Sequence, residues 1–509
     1  MVDGGGRVWV SGVRAENCAG DGFHIENTAE CVLSISASGC GGDGVEAILC
    51  DRFTLGAGSE MKESGEKGGT SDTNYIRGCS GHGVIVTGGS SDVRLAASVL
   101  AAGLDGVHVE DAARCELLVD VHGCGGVGLR VDEVGQCDAA VRVSGSASHG
   151  VHLSKIPAGF VTKKSFGQLA GKKRGAVSSI GGHGILAEDC GRLVVSGVGV
   201  SDCALDGLHV AGASSLRVAD WRDDDCDGDG IEAFAVGGVP LDVHISDSSG
   251  HGAGGNGLSL RGRDLLIEFE RRSGSALHGM DLEGDIIEMR GCSSNNNAQC
   301  GVSARTRKSM SEYNNIYNDN GWQGSLLLPA LGSVQEKANK SKCSARGNGF
   351  ALPGGGAGFE FSGISSVSMH ECDSSANAGS GVVVADMDRD GRLDLVTCAS
   401  NGAHGLHVTS NQGLPSGRLH LRLVTCDGNT SNGLFLEGTS GGEVSECVAI
   451  GNGGTGIFII GSGHVVRSNN SGGNSGAAMI VSAPGNVVGP LVDELSVAGN
   501  CNPAANYVH

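Results

Sequence analysis

The chain has 509 residues and a formal net charge of -21 at pH 7. That charge disfavours nucleic acid as a partner, because phosphate would be repelled over most of the surface. No stretch approaches the length and apolarity of a membrane span, and an apolar share of 39% is adequate for a core. Ninety glycines with no collagen period imply many tight turns. The opening "MVDGGGRVWV" lacks the basic and apolar regions of a signal peptide. The nineteen cysteines include no CxxC pair, which argues against a zinc ribbon or a thioredoxin-type motif.

One phrase recurs along the chain: a small or polar residue, a glycine, then apolar-x-apolar. It begins with "GDGFHI", "GDGVEA", "GHGVIV" and "LDGVHV" and continues to "AHGLHV", "SNGLFL" and "GTGIFI". The landmark glycine falls at 22, 44, 83, 106, 128, 150, 184, 207, 230, 257, 279, 301, 324, 358, 381, 405, 433, 456 and 476. Most steps are 22 to 24 residues, the mark of a solenoid. After each glycine the apolar residues alternate, which predicts strands. These coils with their "GxGI" turns resemble the right-handed parallel β-helix, the pectin-lyase-like architecture. The resemblance covers nearly the whole chain. It implies an all-β fold of about twenty coils over 1–482, then a closing segment over 483–509 that ends in "NCNPAANYVH". Such segments are common in bacterial β-helix proteins. The first coil shows no obvious cap, so it is expected either to follow an absent segment or to dock on a partner.

In that fold the residues one and three after the landmark glycine point inward, and the residue two after it points out. The outward column runs His24, Glu46, Ile85, His108, Arg130, His152, Leu186, His209, Glu232, Ser259, Asp281 and Ser303, with Glu360, His407, Phe435 and Phe458 further on. Ligands of this superfamily usually lie along such a face. A second column lies four residues before the glycine, at Cys18, Cys40, Cys79, Cys124, Cys203 and Cys226. These cysteines read as stacked small hydrophobes, although the coil spacing would admit a disulfide such as Cys18 with Cys40.

Three steps are long and place loop insertions near 51–78, 155–180 and 327–350. The second carries Lys163, Lys164, Lys172, Lys173 and Arg174 with no acid among them, a basic loop suited to an anionic ligand or partner. From 203 the chain shows "CALDGLHV", "DDDCDGDGIEAF", "SSGHGAGGNGLSL" and "RGRDLL". Over about sixty residues this order resembles the polygalacturonases. The resemblance maps their first acid onto Asp206 and their second onto Asp229. Gly228 stands where a paired acid belongs, and Asn256 where the histidine belongs. His251 is out of register, and Arg261 and Arg263 are loose matches to the basic pair. Carboxyls on neighbouring coils would lie about 5 Å apart. Asp206, Asp229, His209 and Glu232 are therefore the catalytic candidates, with His209 and Glu232 as an acid–base pair.

Arg305, Arg307 and Lys308 stand near Tyr313, Tyr317 and Trp322, a mixture suited to binding an acidic sugar. In "DMDRDGRLDLV", Asp386, Asp388, Asp390 and Asp394 take alternate places of a calcium-loop pattern, with Gly391 at the turn. Thr397 stands where an EF-hand needs Glu, so calcium would rigidify a turn. Two function classes follow. The first is a scaffold, at the surface or outside the cell, that contacts glycan or protein subunits. The second is a glycoside hydrolase or polysaccharide lyase acting on an acidic polysaccharide. Few aromatic residues and missing signatures favour the scaffold.

Overall fold

The structure, a computed structural model, describes residues 2–56, 74–162, 175–330, 337–409, 418–482 and 485–489. Each of two compact units, Met1–Gly254 and Gly255–His509, is a right-handed parallel β-helix, with about 19 turns in all and no helix among the described residues. In the first unit Phe23–Glu26, Val45–Ile48, Val84–Thr87, Val107–Glu110, Leu129–Asp132, Val151–Ser154, Ile185–Glu188, Leu208–Ala211 and Ile231–Phe234 pair successively in parallel. In the second unit Leu258–Arg261 pairs with Met280–Arg290, and the same succession runs through Val302–Tyr313, Ser325–Pro329, Phe359–Ser362 and Val382–Ala385 to Met479–Ser482. A parallel partner one coil away requires a crossover, and crossovers are right-handed.

The landmark glycines are required by close approach, not by a left-handed backbone. A Cβ on Gly207 would stand 2.6 Å from the carbonyl oxygen of Gly230, and one on Gly106 would stand 2.6 Å from that of Gly128. Each coil thus sits directly on the glycine of the next. The structure corrects one register: Ile457 pairs with Met479, so Ala478, not Gly476, takes the landmark place in the last described coil. Following the glycine, Val45, Val84, Val107, Leu129, Val151, Ile185, Leu208 and Ile231 are fully buried and stack along the core. Each contributes roughly 1.5–3 kcal/mol by leaving water.

The place four before the glycine is an inside corner, and the two units fill it differently. In the first unit Cys40, Cys79, Cys124, Cys203 and Cys226 are buried there, and every described cysteine is a free thiol. In the second unit it holds Asn297, Asn320, Asn377, Asn401, Asn429, Asn452 and Asn474, and Asn348 joins the same row across the longer turn that leads to Gly358; all are buried. Each asparagine up to Asn452 donates its backbone N–H to the side-chain oxygen of the next at 2.9–3.1 Å. The side-chain Nδ2 groups donate along the same row. A thiol fills the corner by bulk, whereas an asparagine also satisfies the backbone there. The residue just before the corner turns left-handed, which explains Gly39, Gly78 and Gly123 and the aspartates Asp202 and Asp225.

The run "RDDDC" is resolved by the same geometry. Asp223 is buried and accepts the Trp221 indole N–H at 2.7 Å. Asp224 pairs with Arg222 at 2.9 Å, and Asp225 is the turn residue. Val487 and Val488 pair in register with Val465 and Val466, so parallel pairing continues past 482. The rest of the expected closing segment, the cores of the three insertions and the five basic residues Lys163, Lys164, Lys172, Lys173 and Arg174 lie outside the described residues.

Replacing Asn401 by Ala removes the acceptor for the Asn377 N–H and the donor to the Ser374 carbonyl. The expected cost is about 2–4 kcal/mol, since two buried groups lose partners. It should appear as faster amide exchange at Asn377 and a lower urea midpoint. A loss below about 0.5 kcal/mol, the size of an ordinary surface substitution, would disprove the asparagine row as a source of stability.

Candidate functional site

In ten described coils a turn N–H is satisfied by the side chain that stands just before the landmark glycine of the preceding coil. Asp21 Oδ1 takes the Asp43 N–H at 2.9 Å, and Asp43 Oδ1 takes that of His82 at 2.6 Å. Asp105 serves Val127, His149 serves His183, His183 serves Asp206, and Asp206 serves Asp229. In the second unit Asn256 serves His278, His278 serves Cys300, His404 serves Asn432, and Asn432 serves Thr455. Asp, Asn and His each put an acceptor at the δ position, so these three residue types recur before glycine for one structural reason. A histidine here must present an unprotonated Nδ1. Burial accordingly holds His149 and His404 down at about 4, helped by His183 and by His407 respectively.

The column two after the glycine stacks beside this ladder. His24 stands on Glu46, His108 on Arg130, Arg130 on His152, and His209 on Glu232. Most of its members are half-buried, not fully solvated, because the ladder side chains flank them, and Leu186, Ser259 and Ser303 are buried. In the second unit His407, Phe435 and Phe458 stack in this column, with ring centroids 5.0 and 5.3 Å apart.

The sequence candidates Asp206, His209 and Glu232 meet where the two columns touch. His209 Nδ1 lies 3.0 Å from Asp206 Oδ2 and 2.8 Å from Glu232 Oε2. Its hydrogen bonds to Asp206 and Glu232 raise the imidazole to about 9, so it is charged at neutral pH. Burial pushes the Asp206 carboxyl up, but hydrogen bonds from His209 and the Asp229 N–H outweigh it and hold the group well below the usual carboxylate range. The fourth candidate, Asp229, gives its backbone N–H to Asp206 Oδ1. A residue that sequence reasoning passed over, His183, completes the group: its ring centroid is 4.6 Å from that of His209, and its Nδ1 is 3.1 Å from Asp206 Oδ2. The signal was present in "GGHG", which reads on its own as a turn.

The cluster therefore holds an imidazolium between two carboxylates. It can bind, and it can donate a proton weakly, but neither Asp206 nor His209 is poised near neutrality. His251 pairs in register with Asp224 and stands on a different strand, Ser249–His251. Asn256, Arg261 and Arg263 belong to the second unit.

The expected sugar-binding cations are each met by acids. Arg305 lies 3.4 Å from Asp281, Arg307 lies 3.3 Å from Glu283 and 3.2 Å from Asp285, and Lys308 lies 3.0 Å from Asp285. Tyr313 is half-exposed beneath Lys342, Trp322 packs edge-on against His278, and Tyr317 is wholly buried. In the Asp386–Asp394 segment, Asp390 Oδ1 accepts the Arg418 N–H at 3.0 Å, and Asp394 Oδ2 lies 3.4 Å from Arg392. Asp388 Oδ1 and Asp394 Oδ1 are buried without a hydrogen bond. Among the described residues, three groups bring ligand atoms within 4.8 Å of one another: Asp21–His24–Glu46, His82–Asp105–His108 and His183–Asp206–His209. The four aspartates are not among them.

No protein-family model matches the chain, and no curated protein matches it. Similar solved structures include the A-module of the mannuronan C-5 epimerase AlgE4 of Azotobacter vinelandii, at 11% identity and a TM-score of 0.27, covering 82% of this chain and 91% of that one. The Dettilon tailspike protein is similar at 13% identity and a TM-score of 0.28, covering 58% of this chain and 61% of that one. The A-module of the epimerase AlgE6 of Azotobacter vinelandii is similar at 12% identity and a TM-score of 0.24, covering 82% and 91%.

The two kinds of histidine give opposite pH dependences. His209 is raised from 6.5 to about 9, so its contribution to stability is complete below 6.5 and lost as pH rises through about 9. His149 and His404 are lowered from 6.5 to about 4, so theirs is complete above 6.5 and lost as pH falls through about 4. Imidazole resonances should show His209 titrating above pH 8 and His149 and His404 as unprotonated Nε2–H tautomers at pH 6. A His209 midpoint near 6.5 would contradict the doubly bonded geometry.

Proposed function

We propose that the protein is a β-helix scaffold whose outward column and neighbouring ladder form a contact face for polysaccharide or for protein subunits. The observation that carries this reading is that the charged groups of the face are engaged with one another. His209 lies between Asp206 and Glu232, and Arg305, Arg307 and Lys308 are matched by acids. Such rows recognise hydroxyls and amides by hydrogen bonding more readily than they move protons. A polysaccharide, itself a repeat, can register its hydroxyls against repeating coils. The enzyme reading, a hydrolase or lyase working on an acidic polysaccharide, is supported by the perturbed groups at Asp206 and His209, since such groups gather at catalytic sites. In the same proposal the Asp386–Asp394 segment takes Ca2+ to stiffen a turn, supported by the two buried carboxylate oxygens of Asp388 and Asp394.

Incubation with a panel of neutral and uronate polysaccharides, with and without calcium, is expected to give retained glycan without new reducing ends or unsaturated products. The His209→Leu variant borrows the residue of neighbouring Leu186 and should keep the fold. Product that forms in time and disappears in His209→Leu would replace the scaffold by the enzyme. For calcium, the expected result is a Tm that rises with Ca2+ and no longer does so in Asp388→Asn; an unchanged Tm in the parent removes the calcium proposal.

A further inference from the structure

In the first unit the ladder of turn acceptors lapses at Val127, which has no side-chain acceptor, and at His82, which has one. Asp43 Oδ1 accepts the His82 N–H at 2.6 Å, and Asp105 Oδ1 accepts the Val127 N–H at 2.7 Å. Between them His82 should accept from Asp105, as His183 does from Asp206. Instead His82 Nδ1 is buried with no hydrogen bond and lies 3.7 Å from Asp105 Oδ2. The ring tilts against His108, at 5.6 Å between centroids. Both ring nitrogens of His108 are likewise buried with no hydrogen bond. Its Nε2 faces Asp132 Oδ2 at 3.5 Å, but that oxygen is held by Arg130 Nε at 2.6 Å. The side chains of His82, Asp105 and His108 are 18%, 12% and 12% exposed. Three ring nitrogens are thus withdrawn from water without compensation, at a cost that native structures avoid unless water or an ion fills the place.

We propose that His82, Asp105 and His108 form a binding site for one divalent transition-metal ion of the zinc class. The donor set is two imidazoles and one carboxylate, which suits zinc and its neighbours. Calcium and magnesium require oxygen donors throughout and are not served by it. Donors about 2.0–2.1 Å from zinc in a tetrahedron stand about 3.4 Å from one another. The three ligand atoms here already lie within 4.8 Å of one another, and His82 and Asp105 within 3.7 Å. Small side-chain rotations therefore close the site. Asp105 keeps Oδ1 on the Val127 N–H while Oδ2 faces the cluster, so the backbone orients this ligand. The charges around the imidazoles are the carboxylates of Asp43, Asp105 and Asp132 and the guanidinium of Arg130, an excess of negative charge that favours a cation. Three protein donors leave a fourth place for water or a ligand.

The same three residues recur in the same register at His183, Asp206 and His209, within "GGHGILA" and "ALDGLHV" against "SGHGVIV" and "GLDGVHV". The second copy shows what fills such a place otherwise. There His183 Nδ1 accepts the Asp206 N–H, and His209 is gripped by Glu232. In the first copy the residue standing where Glu232 stands is Arg130, which cannot accept a proton. A proton and a carboxylate satisfy the second copy, whereas a metal ion satisfies the first. This site is independent of the polysaccharide reading.

The ladder's own vocabulary supplies variants that keep the fold. Asparagine serves at Asn256 and Asn432, so His82→Asn retains a δ acceptor, and Ile85 adjoins His108 in its column, so His108→Ile is packed for. Metal-free protein under reducing conditions is titrated with Co2+ alone, read by visible absorption, and with Zn2+ alone, read by calorimetry. The parent is expected to take up one equivalent that is lost, or weakened at least about 100-fold, in His82→Asn and in His108→Ile and kept in His183→Asn. Circular dichroism identical to the parent's verifies each variant's fold. No uptake by the parent overturns the proposal, as does uptake that survives both variants, which would place the metal on thiols or elsewhere.

Discussion

Every other feature depends on the parallel, in-register stacking of one coil on the next. A side chain's closest neighbour is the residue of the same column one coil away, about 4.8 Å along the axis. Each column must therefore be compatible with itself. The glycine column is the strictest case, because any Cβ there would collide with the carbonyl of the next coil, as at Gly207 against Gly230. The buried aliphatic column that follows packs well for the same reason, since Val, Ile and Leu interlock with copies of themselves.

Polar columns face the same test and meet it in two ways. Inside, the asparagine row of the second unit is self-complementary, because an amide both donates and accepts. The cysteine corner of the first unit avoids the question by presenting a small apolar thiol. Outside, a column of like charge would repel itself: His24 stands on Glu46 and His209 on Glu232, while Arg130, between His108 and His152, is held by Asp132 of its own coil. The pairing that makes the face stable also neutralises it. This is why Asp206 and His209 come together and yet are both shifted away from neutrality.

The ladder residue before each glycine gives a second lesson. Asp206 attracts attention as a catalytic acid when the motif "LDG" is taken alone. In place, one of its oxygens holds the turn of the next coil, a duty shared by Asp21, Asp43 and Asp105. The distinctive chemistry begins where that duty lapses, at His82, or where a second column leans in, at His209.

Much of this was legible in the sequence. The 22-to-24-residue step, the glycine and the apolar-x-apolar alternation established a parallel β-helix, and the column from His24 to Glu232 is the column observed. These features are local and repeated, so each coil testifies for the others. Sequence alone could not show that the ladder and the outward column touch, because residues three apart on one coil and 23 apart between coils converge only once the turn has set their directions. Nor could it separate Asp223, buried on Trp221, from Asp224, paired with Arg222 at the surface. His183 joined Asp206 and His209, and Lys308 met Asp285, through contacts between coils. The repeat determined where each residue stands; tertiary packing decided which neighbour satisfies it, because hydrogen bonds and ion pairs form between side chains whose distance no single coil encodes.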